Sequence, residues 1–400
     1  MDFQRLFLFL IFSISVFLLW DGWQRSLHPE LQTIPVIAST VGAPTVATAS
    51  VDKPNSNAIA VQQKHQAGQK ITVKTDQLIA EISTIGGDLR HLEFLQHHDA
   101  QDKSKPFVLM REQKARTYIA QTGLLGAGLP THNSTFSAQA NEYQLAEGKD
   151  SLEVHLVAIE ATGVKVSKIY VFHRGSYLID INYEIENNGT APLGLSAYFQ
   201  FVRDKTPPEG GSQFVPTYTG PAVYTEQEKF QKVEFSDIDK GKIKYPQHAD
   251  NGWMGMLQHY FVAAWLPKDK IPREFYTKQL ENDLYAAGVI LPIATIAQGQ
   301  SGKVSVPLYA GPAQVSLDKI APGLGLTVDY GWATIIATPL FWLLTFLQGW
   351  VHNWGVAIIL LTILIKLAFF PLSAASYRSM GKMRVVAPKL EKIKIGRAHV

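Results

Sequence analysis

The chain has 400 residues, 46% of them hydrophobic and 18% charged, with a formal net charge of only +3. That balance excludes a disordered polymer and a basic protein that coats nucleic acid. With no cysteine at all, structural disulfides, thiolate zinc sites and thiol catalysis are excluded as well, and the length fits two or three units.

In chain order, the first predicted element is a charge-free run of 15 residues, 6–20, preceded by Arg5 and closed by Trp20, Asp21, Gly22 and Trp23. It is short for a membrane span and near the length of a signal-peptide core. Cleavage needs small residues beyond the core, yet residues 21–30 read DGWQRSLHPE. We therefore read residues 1–25 as an uncleaved transmembrane anchor whose tryptophans favour the membrane interface. Residues 26–70, rich in Ala, Thr, Ser, Val, Gln and Pro without a sustained period, read as a flexible linker with too little apolar bulk to fold alone.

From Ile71 the pattern changes to period two. Residues 71–75, 164–167 and 177–185 (YLIDINYEI) alternate sides, as half-buried strands must. Turn signals fall between them at Gly86-Gly87, Arg174-Gly175, Asn187-Asn188-Gly189, Gly210-Gly211 and Gly220-Pro221. Since no long apolar period of 3.6 residues interrupts the region, residues 71–328 are expected to form one large antiparallel β sandwich. His259, in GWMGMLQHYFVAAW, is the candidate for an acid-base pair acting on a sugar, its partner one of the domain's many carboxylates. A lone histidine in an apolar strand is more often a satisfied core group, and no nucleophile elbow, metal-ligand spacing or phosphate loop accompanies it.

Between Asp329 and Lys366 lie 36 residues without Asp, Glu, Lys or Arg. A single helix of that length reaches about 54 Å, well beyond a hydrocarbon core of about 30 Å, so the segment must break. Pro339 and His352-Asn353-Trp354-Gly355 divide it into an aromatic-rich piece, expected to lie along the membrane interface over residues 329–352, and a transmembrane helix over residues 353–375. Six of the eight tryptophans (Trp20, Trp23, Trp332, Trp342, Trp350 and Trp354) flank or sit in the two apolar regions, as aromatic belts do.

Residues 376–400 carry seven basic side chains against Glu391, a net +6 that leaves −3 for the rest of the chain. The positive-inside rule places this basic segment in the cytoplasm, the β domain outside and the N-terminus inside. The spacing of Arg378, Lys382, Arg384, Lys389 and Lys392 fits a cytoplasmic helix. It serves first as a topology determinant, and it can also touch anionic lipid or an acidic partner such as ribosomal RNA.

Lys366, in AIILLTILIKLAFFPL, stands near the midpoint of the second span. A cation at that depth costs about 2.5 to 3.5 kcal/mol on insertion scales. At 100° per residue Gly355, Thr362, Ser373 and Tyr377 fall within about 60° of it, so the charge heads a polar stripe. Two readings stand: a cation lining a hydrated cavity within the membrane, or a lysine that snorkels to the interface or pairs silently with an acid on another helix.

The run NWGVAIILLTILIKLAFFPLSAASYRSMGKM resembles the second transmembrane segment and following cytoplasmic loop of bacterial YidC membrane protein insertases. The likeness extends through DYGW, Pro339-Leu340-Phe341, GWMGMLQHYFVAAW, TYTGPAVYTEQEKFQKVEFSDI and TDQLIAEISTIGGDL. It implies a periplasmic β-supersandwich like that of galactose mutarotases, acting as an interaction module without sugar chemistry. It also implies a hydrophilic groove, open to cytoplasm and lipid, whose central cation aligns with Lys366 and whose lining includes Thr362. Many members carry arginine where this chain has Lys366, and members continue through further spans. The chain is accordingly expected to be truncated after its second span, with a non-native end over residues 395–400.

The resemblance thus implies an inner-membrane insertase and chaperone, not an enzyme, that takes no cofactor or metal. Its implied partners are nascent membrane proteins, lipids, the Sec translocon and the ribosome. Two alternatives remain open: a membrane-anchored periplasmic carbohydrate-active enzyme and a tethered interaction scaffold.

Overall fold

The structure is a computed structural model that describes residues 68–396 apart from 100, 114–115, 160–162, 209–217, 243, 269 and 329–333. The expected N-terminal anchor, all but the last residues of the expected linker, and the Gly210-Gly211 turn lie outside the described residues.

Alternation builds the strands as expected. In Leu178–Asn187 the side chains of Ile179, Ile181, Tyr183 and Ile185 are fully buried, while Asp180, Asn182 and Glu184 lie on the opposite, half-exposed face. Nineteen strands are described, in two sheets. The ten-stranded sheet runs, edge to edge, His248–Ala249, Arg273–Gln279, Leu284–Ile296, Leu193–Asp204, Arg116–Leu125, Pro106–Gln113, Leu89–His98, Leu78–Ser83, Lys70–Lys74, Glu142–Gln144. The nine-stranded sheet runs Lys229–Lys232, Gly220–Thr225, Trp253–Gln258, Phe261–Trp265, Ser301–Pro312, Leu178–Asn187, Val164–His173, Ser151–Ile159, Ser137–Ala138. Among the described residues Lys70–Lys74 pairs in parallel only with Glu142–Gln144; the long neighbours, such as Leu193–Asp204 with Leu284–Ile296, pair antiparallel. A two-sheet antiparallel sandwich is therefore the core of the molecule.

Its main core fills the space between the sheets, with Phe94, Phe172, Phe199, Phe201, Trp265 and Phe275 among its largest members. Strict alternation fails where a strand is covered on both faces. Leu193–Asp204 is buried at nine consecutive positions, from Leu195 to Arg203, because on its second face Tyr198 and Val202 pack with Ile119, Tyr276, Ala286 and Ile290 of neighbouring strands into a second buried cluster. The nine-stranded sheet gains an outer cover: Leu317, Ala321 and Leu324 pack onto Tyr224, Trp253 and Tyr309. That strap needs Gly323, whose φ is +74° and whose missing side chain leaves room for the Tyr224 ring.

Gly86 and Gly87 turn with positive φ, as does Gly175. Gly220-Pro221, expected as a turn, instead opens the buried strand Gly220–Thr225. A proline is tolerated there because it stands at the strand's start.

Three α-helices are described: α1 (Phe235–Asp239), α2 (Thr334–Val351) and α3 (Trp354–Gly396). The break between α2 and α3 falls at the predicted punctuation. His352 adopts φ +53°, and Asn353 caps α3, its carboxamide oxygen accepting the Val356 N–H at 3.2 Å. The apolar span and the basic segment are one continuous 43-residue helix, since backbone hydrogen bonds do not register where side chains turn from apolar to charged.

Candidate functional site

Apolar side chains are exposed all around α3: Ile359, Leu367, Phe370 and Leu372 are each more than half exposed. Residues Trp354–Met383 are long and apolar enough to cross a membrane. On α2, Trp342, Phe346 and Trp350 form an exposed aromatic ladder with ring centroids 5.8 Å and 5.5 Å apart, the residue types that favour a membrane interface. Lys366 lies exposed within the apolar stretch, one turn beyond Thr362. The Thr362 hydroxyl donates to the Ile358 carbonyl at 2.8 Å, so its proton is spent inside the helix while its oxygen can still accept. Arg378 and Lys382 follow on the same helix with exposed side chains, and the helical backbone continues through Arg384, Lys389 and Lys392. Among the described residues no carboxylate forms a salt bridge with Lys366.

His259 does not occupy a strand. It sits in the two-residue turn between Trp253–Gln258 and Phe261–Trp265, beside Tyr260, which takes φ +69°. The two rings lie 3.5 Å apart between centroids, and partial burial lowers the imidazole pKa. Among the described residues no carboxylate accepts a hydrogen bond from it, and no cluster of three or more His, Asp or Glu could hold a metal ion. The acid-base pair envisaged from sequence is not assembled.

A charged centre that sequence reading missed lies inside the sandwich. Asp88 and Lys168 are both fully buried, with Nζ 3.8 Å from Oδ1. Lys168 donates to the Gly86 carbonyl at 3.0 Å and stands within 6 Å of the Phe136, Tyr170 and Tyr183 rings. From Asp88 a chain of hydrogen bonds runs outward through the ten-stranded sheet. Gln121 donates to Asp88, Gln200 donates to Gln121, and the Tyr276 hydroxyl donates to Gln200 at 2.8 Å. Burial raises the Asp88 carboxyl to about 6 despite the opposing charges of Lys168 and Arg90. It lowers the Lys168 ammonium to about 8 despite Asp88. The strand phase carried the signal: in Val164–His173, Lys168 falls in step with the inward Val164, Val166, Tyr170 and Phe172. Asp88 Oδ1 accepts no hydrogen bond among the described residues and faces Lys168 only as an ion pair; joining a residue beside one sheet to a strand of the other, the centre reads as a tie between sheets.

An extramembrane sandwich joined to an exposed apolar helix that holds one central cation defines a membrane protein with a large external domain. Residues 70–343 match the YidC periplasmic domain family, and residues 346–396 match the 60Kd inner membrane protein family. The chain is 51% identical to the membrane protein insertase YidC of Nitrosospira multiformis over 98% of this chain and 73% of that one. Against the membrane protein insertase YidC of Methylobacillus flagellatus it is 49% identical over 98% and 72%. A solved galactose mutarotase related enzyme from Lactobacillus acidophilus aligns at 10% identity and TM-score 0.39, over 60% of this chain and 97% of that one; a likeness that distant carries no functional argument. The chain belongs to the YidC family of membrane protein insertases. It is accordingly an inner-membrane protein with a periplasmic β domain.

Proposed function

We propose that Lys366 is the cation of a hydrated groove within the membrane and that it receives acidic or polar segments of nascent membrane proteins. The observation that carries this reading is a lysine held midway along an exposed apolar helix with no carboxylate partner among the described residues. A charge so placed is costly in lipid unless water or a client carboxylate meets it. The groove shortens the apolar path for the client's polar segment, and the client's own helix then partitions into lipid, where burial of its apolar side chains drives completion. No covalent step, ATP or cofactor enters this scheme.

Thr362, one turn earlier, lines the same face and offers its hydroxyl oxygen to client N–H groups. The basic residues Arg378, Lys382, Arg384, Lys389 and Lys392 hold the end of α3 in the cytoplasm and offer a surface to the ribosome and to anionic lipid. In this topology the chain spans the membrane more than once, with residues 1–25 as an anchor whose N-terminus is cytoplasmic and residues 71–328 in the periplasm. Insertion proceeds alone or beside the Sec translocon.

The test places Arg, Ala and Glu at position 366 in the full-length protein and follows insertion of a small single-span client in cells depleted of their own insertase. Lys366→Arg is expected to insert normally, Lys366→Ala poorly and Lys366→Glu worst. Equal insertion by all three variants overturns the groove cation. Photo-cross-linking from position 362 to the nascent client distinguishes direct groove contact from an indirect effect.

A further inference from the structure

A cavity of about 260 Å³ opens beside the strap on the outer face of the nine-stranded sheet. Leu178, Leu266, Ile320 and Pro322 give it apolar walls. Of the residues that line it only Glu226 and Lys268 carry a charge, and both are exposed at its rim. Among the described residues neither the Glu226 carboxylate nor the Lys268 ammonium takes part in a salt bridge or a hydrogen bond. An apolar cavity thus presents one anion and one cation that are not paired with each other.

Its walls are set by the fold. The Trp253 indole N–H donates to the Pro322 carbonyl at 2.9 Å, and the Asp318 carboxylate accepts the Gly325 N–H at 2.8 Å, so the strap is held at both turns. The buried Arg273 guanidinium donates to the carbonyls of Gly252, Pro267 and Lys268 and fixes the loop that carries Lys268. Neither Asp318 nor Arg273 lines the cavity.

The strap also lies close to the apolar helices. Thr334 opens α2 six residues after Val328, and extended chain covers at most about 3.6 Å per residue, so the two positions lie within about 22 Å of each other. Ile320 and Leu326, 45% and 50% exposed, leave apolar surface on this part of the domain.

We propose that this cavity binds the headgroup of a zwitterionic phospholipid of the phosphatidylethanolamine type in the periplasmic leaflet. Lys268 pairs with the phosphate, Glu226 accepts the ammonium N–H groups, and Leu178, Leu266 and Ile320 meet the glycerol and the first methylenes. The charges select the ligand. A purely anionic headgroup leaves Glu226 facing a like charge, and a purely cationic ligand does the same to Lys268, whereas a phosphate and an ammonium in one molecule match both. The volume agrees, since it falls just below the roughly 300–1,000 Å³ of sites that enclose a drug-sized molecule and so takes a headgroup while the acyl chains stay in the bilayer. The site depends on α2 lying at the membrane and is independent of Lys366.

The test uses the whole chain in maltoside micelles and a phosphatidylethanolamine analogue with a photoactivatable diazirine near the glycerol, its points of attachment mapped by peptide mass spectrometry. A phosphatidylglycerol analogue of the same build is run beside it. The ethanolamine lipid is expected to label the strap, and the glycerol lipid, which lacks the cation, to label it about fivefold less, the worth of one exposed ion pair. Lys268→Gln is expected to lower labelling by both lipids, and Glu226→Gln to lower that by the ethanolamine lipid alone and so erase the preference. Both variants change exposed side chains and are expected to keep the parent circular dichroism and unfolding midpoint. An unlabelled strap, equal labelling by the two lipids, or a preference unchanged in Glu226→Gln overturns the site. Displacement of the analogue by soluble glycerophosphoethanolamine as readily as by intact lipid overturns the membrane source. Displacement by the peptide acetyl-Lys-Leu-Glu-amide but not by intact lipid overturns the lipid in favour of a peptide.

Discussion

Two lysines show how differently the two regions of this molecule treat a charge. Lys168 is sealed inside the sandwich and surrounded by Asp88, a backbone carbonyl and three aromatic rings. Lys366 is exposed on an apolar helix with no carboxylate partner among the described residues. In the sandwich the fold sets an opposite charge and a carbonyl beside the ion, so the charge ties together one arrangement of two sheets. On the helix no described carboxylate pairs with the ion, and in the proposed reading compensation comes from water, lipid headgroups or a client. The same residue type in an apolar setting thus has its compensating groups within the chain in one region and no described carboxylate partner in the other.

That contrast breaks most readily at Lys168. Lys168→Met strands the buried Asp88 carboxylate and is expected to destabilise the sandwich by about 3–5 kcal/mol in denaturant titrations. Adding Asp88→Asn should recover a large part of that loss, because an uncharged pair no longer strands an ion. If the single variant unfolds at the parent midpoint, the pair is not the tie described above.

The next effect is on pH dependence. The folded carboxyl of Asp88 holds its proton to about 6, against 3.8 for the ordinary group. As pH rises from 4 to 6 the unfolded chain has already lost a proton that the fold retains, so this residue's contribution to stability falls through that window and levels off above it. Lys168 gives the mirror limb: held down to about 8, it makes stability rise with pH between 8 and 10. Unfolding midpoints measured from pH 4 to 10 should show both limbs, and Asp88→Asn should flatten the acidic one.

Smaller effects sharpen the comparison. Tyr276→Phe removes the last donor of the chain leading to Asp88, leaves the Gln200 side-chain oxygen unpaired, and is expected to cost about 1–3 kcal/mol of sandwich stability. Asn353→Ala removes the cap of α3 and should cost about 1 kcal/mol, seen as faster amide exchange at Val356 and nowhere in the sandwich. Lys366→Ala should leave the unfolding midpoint of the sandwich unchanged, whereas Lys168→Met should lower it, and an insertion defect in the former then separates the proposed role of Lys366 from a structural one.

Much of the fold was legible in the sequence where one face of an element meets water. Leu178–Asn187 reads in and out by turns because Asp180, Asn182 and Glu184 stand on its open face. Leu193–Asp204 gave no such reading, since its second face packs with apolar side chains of neighbouring strands into a buried cluster, which erases the alternation. The helical break at His352 and Asn353 was legible from residue type, as was the position of Lys366 in its apolar run. His259 was placed in a strand and lies in a turn. The cavity rimmed by Glu226 and Lys268 was not legible, because Leu178, Glu226, Lys268 and Ile320 come from four separate segments that only the fold brings together.

By itself the sequence determined which stretches seek lipid, which alternate into strands, and where a lone cation falls along an apolar helix, because hydrophobic period and charge density act locally along the chain. Only the tertiary structure decided that Lys168 is tied to Asp88, that Glu226 and Lys268 share one cavity, and that central strands are buried on both faces. Those outcomes depend on which distant segments are laid side by side, and electrostatic compensation at contact distance is a property of the pair, not of either residue.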